Sequence, residues 1–90
     1  MIQADTLIQR SPEILHSIVD NEIIMMNIET GKYFGVDDIG GRIWELIENP
    51  MTFEALCNTL QAEYEVDEQT CIADTKEFLD TLIEKKIIAI

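Results

Sequence analysis

The stretch Lys32-Tyr33-Phe34-Gly35-Val36-Asp37-Asp38-Ile39-Gly40-Gly41-Arg42-Ile43-Trp44-Glu45-Leu46-Ile47 contains the change of periodicity that decides the fold. Up to Val36 the pattern is that of a short strand rich in aromatic and β-branched residues. From Ile39 onward, apolar side chains return at helical intervals (Ile39, Ile43, Leu46, Ile47), with Trp44 at the flank of the stripe. Asp37 or Asp38 is expected to cap this helix and Asn49-Pro50 to stop it. Gly40-Gly41 in its first turn costs about 1 kcal/mol each relative to alanine, a penalty easier to accept where another backbone packs closely.

Working back toward the N-terminus, Glu13 to Val19 alternates as a strand, and Asp20-Asn21 offers a two-residue hairpin turn. Ile23-Ile24-Met25-Met26-Asn27-Ile28 is apolar on both faces, so this second strand is expected in the centre of a sheet. Glu29-Thr30-Gly31 supplies the glycine of a bulged hairpin, and Lys32 to Val36 is the third strand. Residues 1–12 read as a lead-in ending at Ser11-Pro12. Working forward, Thr52 caps a second helix with Met51 and Leu56 as its hydrophobic staple, and Phe53, Leu56, Cys57 and Leu60 as its apolar face. That helix is expected to end near Glu63-Tyr64. Asp67 caps a third, whose stripe is Cys71, Thr75, Phe78, Leu79 and Leu82 and whose negative end carries Lys85-Lys86. Ile87 to Ile90 is too short for a helix and suits a short terminal strand. The expected fold class is α+β: one three-stranded antiparallel sheet followed by three helices, a winged helix-turn-helix with a short C-terminal strand, forming a single domain over residues 1–90.

Composition narrows the function. Ninety residues cannot hold an eight-stranded barrel or a doubly wound sheet. Eighteen acids against six bases give a net charge of −12, a field that repels phosphate backbones and anionic membranes, so neither nucleic acid nor membrane is an expected partner. The helix from Asp67 to Lys86 would be the recognition helix of a DNA-binding winged helix. It carries Asp67, Glu68, Asp74, Glu77, Asp80 and Glu84 against three lysines, the wrong sign for a groove. No basic stretch or apolar segment opens the chain, so a cytoplasmic location is expected.

Catalytic chemistry finds little support. Cys57 and Cys71 fall on apolar helix faces, where packing accounts for them, and the one histidine, His16, falls on a strand. These are too few soft ligands for a structural metal, and the glycines form no phosphate-binding motif, so no catalytic residue, metal or cofactor is expected. What remains is recognition through a surface. The third strand has one lysine and no proline to guard its edge, and a groove forms if the third helix lies alongside. An extended peptide could then add as a further strand, its alternate side chains entering pockets against the helix. The plainer reading makes Tyr33 and Phe34 ordinary sheet residues and Phe78 and Leu82 ordinary core; on spacing alone it carries more weight.

A resemblance shifts that balance. The runs Gly31 to Val36 and Asp38 to Ile47, then Met51 to Leu56, Tyr64 to Asp67, Phe78-Leu79 and Ile87 to Ile90, resemble the PqqD-like family over about residues 10–90. No single motif is diagnostic; the ordered set, with Gly40 and Ile43-Trp44 at the right interval, is fairly specific. The resemblance implies a non-catalytic adaptor that captures the leader of a ribosomally made precursor peptide between third strand and third helix. Carried over, the site is Lys32, Tyr33, Phe34 and Gly35 facing Cys71, Asp74, Thr75, Phe78 and Leu82. Phe78 and Leu82 would line an apolar pocket, and Asp74 and Glu77 would meet basic leader residues. Ile72 departs from the family, which more often has a polar residue there. A stand-alone chain of this length resembles the recognition subunit of lasso-peptide pathways, partnered by a leader-cleaving cysteine protease. The alternative is the pathway to the quinone cofactor PQQ, with a radical SAM enzyme as partner. Two readings from other classes stand beside these: an acidic regulator that binds nucleic acid or a transcription factor, and a subunit dimerising through the third strand. The expected state is a monomer or weak homodimer.

Overall fold

A computed structural model of the chain describes residues 2–20 and 22–90. The strand apolar on both faces lies in the centre of its sheet: β3 (Glu22–Asn27) pairs antiparallel with β2 (Ile14–Val19) on one side and β4 (Tyr33–Val36) on the other. The β3–β4 hairpin turns through Gly31, which has φ +74°. In the turn between β2 and β3, Asp20 adopts φ +51°; Asn21 lies outside the described residues.

The residues expected as a lead-in correct the single-sheet expectation. They hold a strand, β1 (Leu7–Arg10), which lies between β5 (Met51–Thr52) and β6 (Ile88–Ala89) in a second three-stranded antiparallel sheet. Its partners are two residues long and come from distant parts of the chain, so no local pattern announces them. Ile8 is fully buried, whereas Leu7 is exposed and Arg10 half-buried, with too few positions to establish a period. The N-terminal segment also meets the open start of the next helix. The amides of Phe53 and Glu54 donate to the carbonyls of Thr6 and Ala4, both at 2.9 Å, satisfying two of the four donors a helix start leaves unpaired.

The three helices fall where the stripes place them: α1 (Asp38–Leu46), α2 (Phe53–Tyr64) and α3 (Glu68–Glu84). Asp37 occupies the N-cap position of α1 without a side-chain hydrogen bond. Thr52 and Asp67 do cap, accepting from the amides of Ala55 (3.1 Å) and Thr70 (3.0 Å). Hydrogen bonding from Thr70, by its side chain first and its amide second, holds the Asp67 carboxyl below the ordinary carboxylate range. α1 stops at Leu46, one turn before Asn49-Pro50. At the end of α3 the chain turns through Lys86 at φ +58°, with the Lys86 amide on the Ile83 carbonyl and the Ile87 amide on the Leu82 carbonyl, both at 2.9 Å. This pair of bonds is a Schellman motif with lysine where glycine is usual.

The core lies between the sheets and helices, around fully buried Ile8, Met25, Ile47, Leu56, Leu79 and Ile87. Trp44 joins the sheets: Arg10 of β1 lies 4.1 Å over its ring, and His16 of β2 meets it edge-on at 6.0 Å. Among the described residues no helix is long and apolar enough to cross a membrane.

The glycine pair has two different jobs. A methyl added at Gly40 would sit 2.7 Å from Cβ of Val36 and 3.1 Å from the Phe78 ring, whereas at Gly41 it would meet the flexible end of Ile23 at 3.2 Å. Gly40 is therefore the close approach of α1 to β4 and α3. Gly40→Ala is expected to cost about 1–3 kcal/mol by overpacking. Gly41→Ala is expected to cost far less, since about 1 kcal/mol of regained helix propensity offsets the crowding. Thermal unfolding of the two variants checks the order; equal losses would contradict it.

Candidate functional site

The hydrogen bonds of the central hairpin determine which groups face outward. The amide of Asn27 donates to the carbonyl of Lys32 at 2.9 Å, and the register continues through Met25 opposite Phe34 and Ile23 opposite Val36. Antiparallel strands alternate, so Phe34 and Val36 direct their main-chain groups to β3, and Tyr33 and Gly35 direct theirs outward. Among the described residues nothing pairs with that outer edge. Tyr33 is 70% exposed.

Beside the edge lies a cleft of about 420 Å³, walled by Phe34, Gly35 and Val36 on one side and Asp74, Thr75 and Phe78 of α3 on the other. Ile39, Gly40 and Ile43 of α1 also line it. The rings of Phe34 and Phe78 lie 6.2 Å apart at 49°, and Lys85 Nζ stands 5.5 Å over Phe34. The cleft exists because Gly40 lets α1 approach closely and because Thr75 and Phe78, one turn apart on α3, face the strand. A second, smaller cavity of about 70 Å³ adjoins it, sharing Ile39, Asp74 and Thr75 and adding Leu60, Tyr64, Val66 and Cys71. Three carboxylates, Glu22, Asp37 and Asp74, line the larger cleft.

The sequence-derived site residues separate on this geometry. Phe34, Gly35, Asp74, Thr75 and Phe78 line the cleft, with Tyr33 on its open strand. Lys32 precedes the strand and gives its carbonyl to Asn27. Cys71 is buried and lines only the smaller cavity. Leu82 is fully buried and Glu77 is exposed, and neither lines either cavity. The sequence reading missed Glu22, Val36 and Asp37 as lining residues. It placed Ile39 on the helical stripe of α1 without assigning it to the site; Ile39 is 49% exposed and lines both cavities. An isoleucine in the first turn of a helix, just beyond a strand, was the available signal.

Asn27 was missed altogether. It is buried at the end of β3, and its Oδ1 accepts from the amides of Glu29 (2.9 Å) and Thr30 (3.1 Å). Its Nδ2 donates to the carbonyl of Lys86 at 2.6 Å, tying the β3–β4 hairpin to the end of α3. An asparagine four residues before a turn glycine was the signal, because its side chain can close the turn on itself.

The arrangement offers main-chain donors and acceptors, an apolar socket and negative charge. The cysteines lie within the helix pair: Cys71 Sγ donates to the Cys57 carbonyl at 3.7 Å, and both thiols are buried. Burial, followed by the neighbouring Cys71, pushes the Cys57 thiol up to about 11. Among the described residues no cluster of three His, Cys, Asp or Glu side chains is placed to hold a metal ion.

A strand edge left open beside a helix-walled cleft defines a candidate peptide-binding surface. The chain belongs to the PqqD family: the family described as coenzyme PQQ synthesis protein D matches residues 22–88. Two solved structures share the architecture. One is TbiB1 in complex with the TbiA(beta) leader peptide, 34% identical, with a TM-score of 0.81 over 89% of this chain and 93% of that one. The other is a lasso peptide synthetase B1 complexed with its leader peptide, 19% identical, with a TM-score of 0.79 over 92% and 98%. The second likeness is one of fold alone. No curated protein matches the chain.

Asn27→Ala leaves the Lys86 carbonyl and two turn amides without their partner, so it is expected to cost about 1–3 kcal/mol in urea unfolding. An unchanged midpoint would show that the hairpin does not depend on this side chain. The thiols give a second check. At about pH 8 a disulfide reagent should label neither cysteine of the folded chain rapidly, and both on adding denaturant, because the reactive form is the thiolate. Immediate labelling of one thiol would contradict the burial described.

Proposed function

We propose that residues 1–90 form one non-catalytic recognition domain that binds the leader of a ribosomally made precursor peptide as an added strand on β4. The observation that carries this reading is the outward pair of main-chain positions, Tyr33 and Gly35, standing beside the cleft between β4 and α3. The leader complex of the 34%-identical TbiB1 supports it. Each added hydrogen bond contributes only about 0.5–1.5 kcal/mol net, so side chains entering the cleft at Phe34 and Phe78 supply much of the selectivity. Glu22, Asp37 and Asp74 favour a guest with basic residues at the cleft, and Glu77 extends that field along α3. Lys32, Cys71 and Leu82 complete the site as the family resemblance carries it over, Cys71 from the smaller cavity and Leu82 from the buried stripe of α3.

In this reading α2 and α3, joined through Glu65-Val66 beside the β2-β3-β4 sheet, make a winged helix-turn-helix whose third helix faces a peptide rather than DNA. The bound leader is presented to a processing enzyme, the leader-cleaving cysteine protease of a lasso-peptide pathway. The leader peptide in the TbiB1 complex, and the fold shared with a lasso peptide synthetase B1, favour that pathway. The family's own description favours the alternative, a PQQ-pathway chaperone acting with a radical SAM enzyme. The carboxylates around the cleft and the net charge argue against the nucleic-acid-binding regulator.

Titrating the isotope-labelled chain with synthetic leader peptides, the TbiA(beta) leader among them, tests this. Shifts are expected to concentrate in residues 33–36 of β4 and 71–78 of α3. Tyr33→Pro removes an outward donor without touching the β3 ladder, so the folded variant is expected to bind roughly 3–10-fold more weakly. Undiminished affinity in a folded Tyr33→Pro protein, or shifts confined to another surface, would overturn strand addition.

A further inference from the structure

Among the described residues the sheet has a second open edge, which the peptide reading does not use. The amide of Ile28 donates to the carbonyl of Glu13 at 2.9 Å, in register with Ile14 opposite Asn27. By the same alternation Leu15, Ser17 and Val19 direct their main-chain groups to β3, and Ile14, His16 and Ile18 direct theirs outward. Every residue from Leu15 to Val19 is exposed, Ile18 to 71%. Proteins usually guard such an edge with lysine, proline, an inward charge or a covering helix. Residues 14–19 contain no Pro, Lys, Arg, Asp or Glu.

We propose that this chain self-associates through β2, two copies pairing antiparallel about a two-fold axis at Ser17 so that their β2-β3-β4 sheets become continuous. The sequence of the strand argues for a second copy as the occupant. A two-fold axis perpendicular to the sheet must keep paired side chains on the same face, so it passes through a residue rather than between two. Of the two registers with the greatest overlap, centred on His16 or on Ser17, only the second sets Leu15 opposite Val19 of the other copy. These are the exposed apolar residues on the outer face of β2, 55% and 49% accessible. The same register sets His16 opposite Ile18, both with outward main-chain groups, so the hydrogen bonds fall where donors and acceptors are free. Asp20 meets Ile14 there, not another acid.

Two copies each carrying −12 repel, so the association is weak and tightens as salt screens that repulsion. A basic partner docking on the chain would respond to salt in the opposite sense. The β4 edges lie at the two far ends of the joined sheet, leaving each copy's cleft open. The proposal therefore stands whether or not the peptide reading does.

Sedimentation of the full chain over a concentration series reaching about 1 mM, at low and high sodium chloride, reads the association directly. The expected result is a reversible monomer–dimer equilibrium that strengthens with salt and is lost in a folded Ile18→Lys variant. That variant should bind the leader peptide used above with unchanged affinity. Ser17→Cys reads the register. Facing residues without mutual hydrogen bonds bring their Cα atoms to about 4.5 Å, a span a disulfide fits. With both native thiols buried, oxidised glutathione should cross-link Ser17→Cys well ahead of His16→Cys or the exposed control Ala62→Cys. A monomer at every concentration, a dimer lost in Tyr33→Lys but kept in Ile18→Lys, or equal cross-linking of all three cysteine variants would overturn the proposal.

Discussion

The hydrogen bonds of one buried amide hold the two walls of the cleft together. Asn27 closes the hairpin turn with its carbonyl oxygen and reaches the carbonyl of Lys86 with its amide nitrogen. Lys86 sits at positive φ, where the Schellman turn ends α3. Strand β4 and helix α3 are thus joined at one end by a part-buried polar contact from the buried Asn27 side chain. Such a contact is costly to leave half-made, which favours one geometry over many. At the other end Gly40 sets the spacing by what it lacks, since a single methyl would push Val36 and Phe78 apart. Between these two points Phe34 and Phe78 remain half-buried rather than collapsing into full contact.

That geometry explains why an edge strand persists here without the usual protection. β4 is only four residues long, its outward groups are confined to Tyr33 and Gly35, and it is bordered by α3 and by carboxylates. A guest strand would gain main-chain bonds and a socket together, whereas a second β4 would bring three further carboxylates into the cleft. β2 is longer and has outward main-chain groups at Ile14, His16 and Ile18 in a strand with no charged side chain of its own, which is why the two edges are assigned different occupants. The second sheet takes part in neither surface; β1, β5 and β6 bind the chain ends to the start of α2 and the end of α3.

Much of this was legible in the sequence wherever the signal was local. The change of period at Val36–Ile39, the caps at Thr52 and Asp67 and the central position of Ile23–Asn27 all follow from neighbours within a turn or a strand. β1 was not legible, because its identity depends on Met51-Thr52 and Ile88-Ala89, far along the chain and two residues each. Ile39 was missed as a lining residue because a helical stripe reports which face is apolar but not whether anything covers it. Leu82 was carried into the site for the converse reason: it continues the stripe of Phe78 and Thr75, yet one turn further along the stripe has passed beneath the surface. Asn27 carried its signal in the turn, but its partner, the Lys86 carbonyl, is 59 residues away.

The central claim is that Tyr33 and Gly35 present unpaired main-chain groups for a guest strand. Residue-resolved amide hydrogen exchange, with and without the leader peptide, tests it most directly. The account predicts alternation along β4 in the free chain, with Phe34 and Val36 protected and Tyr33 and Gly35 exchanging freely, and protection of the latter pair once peptide is bound. Protection of Tyr33 and Gly35 in the free monomer, or their continued free exchange in the saturated complex, would contradict it.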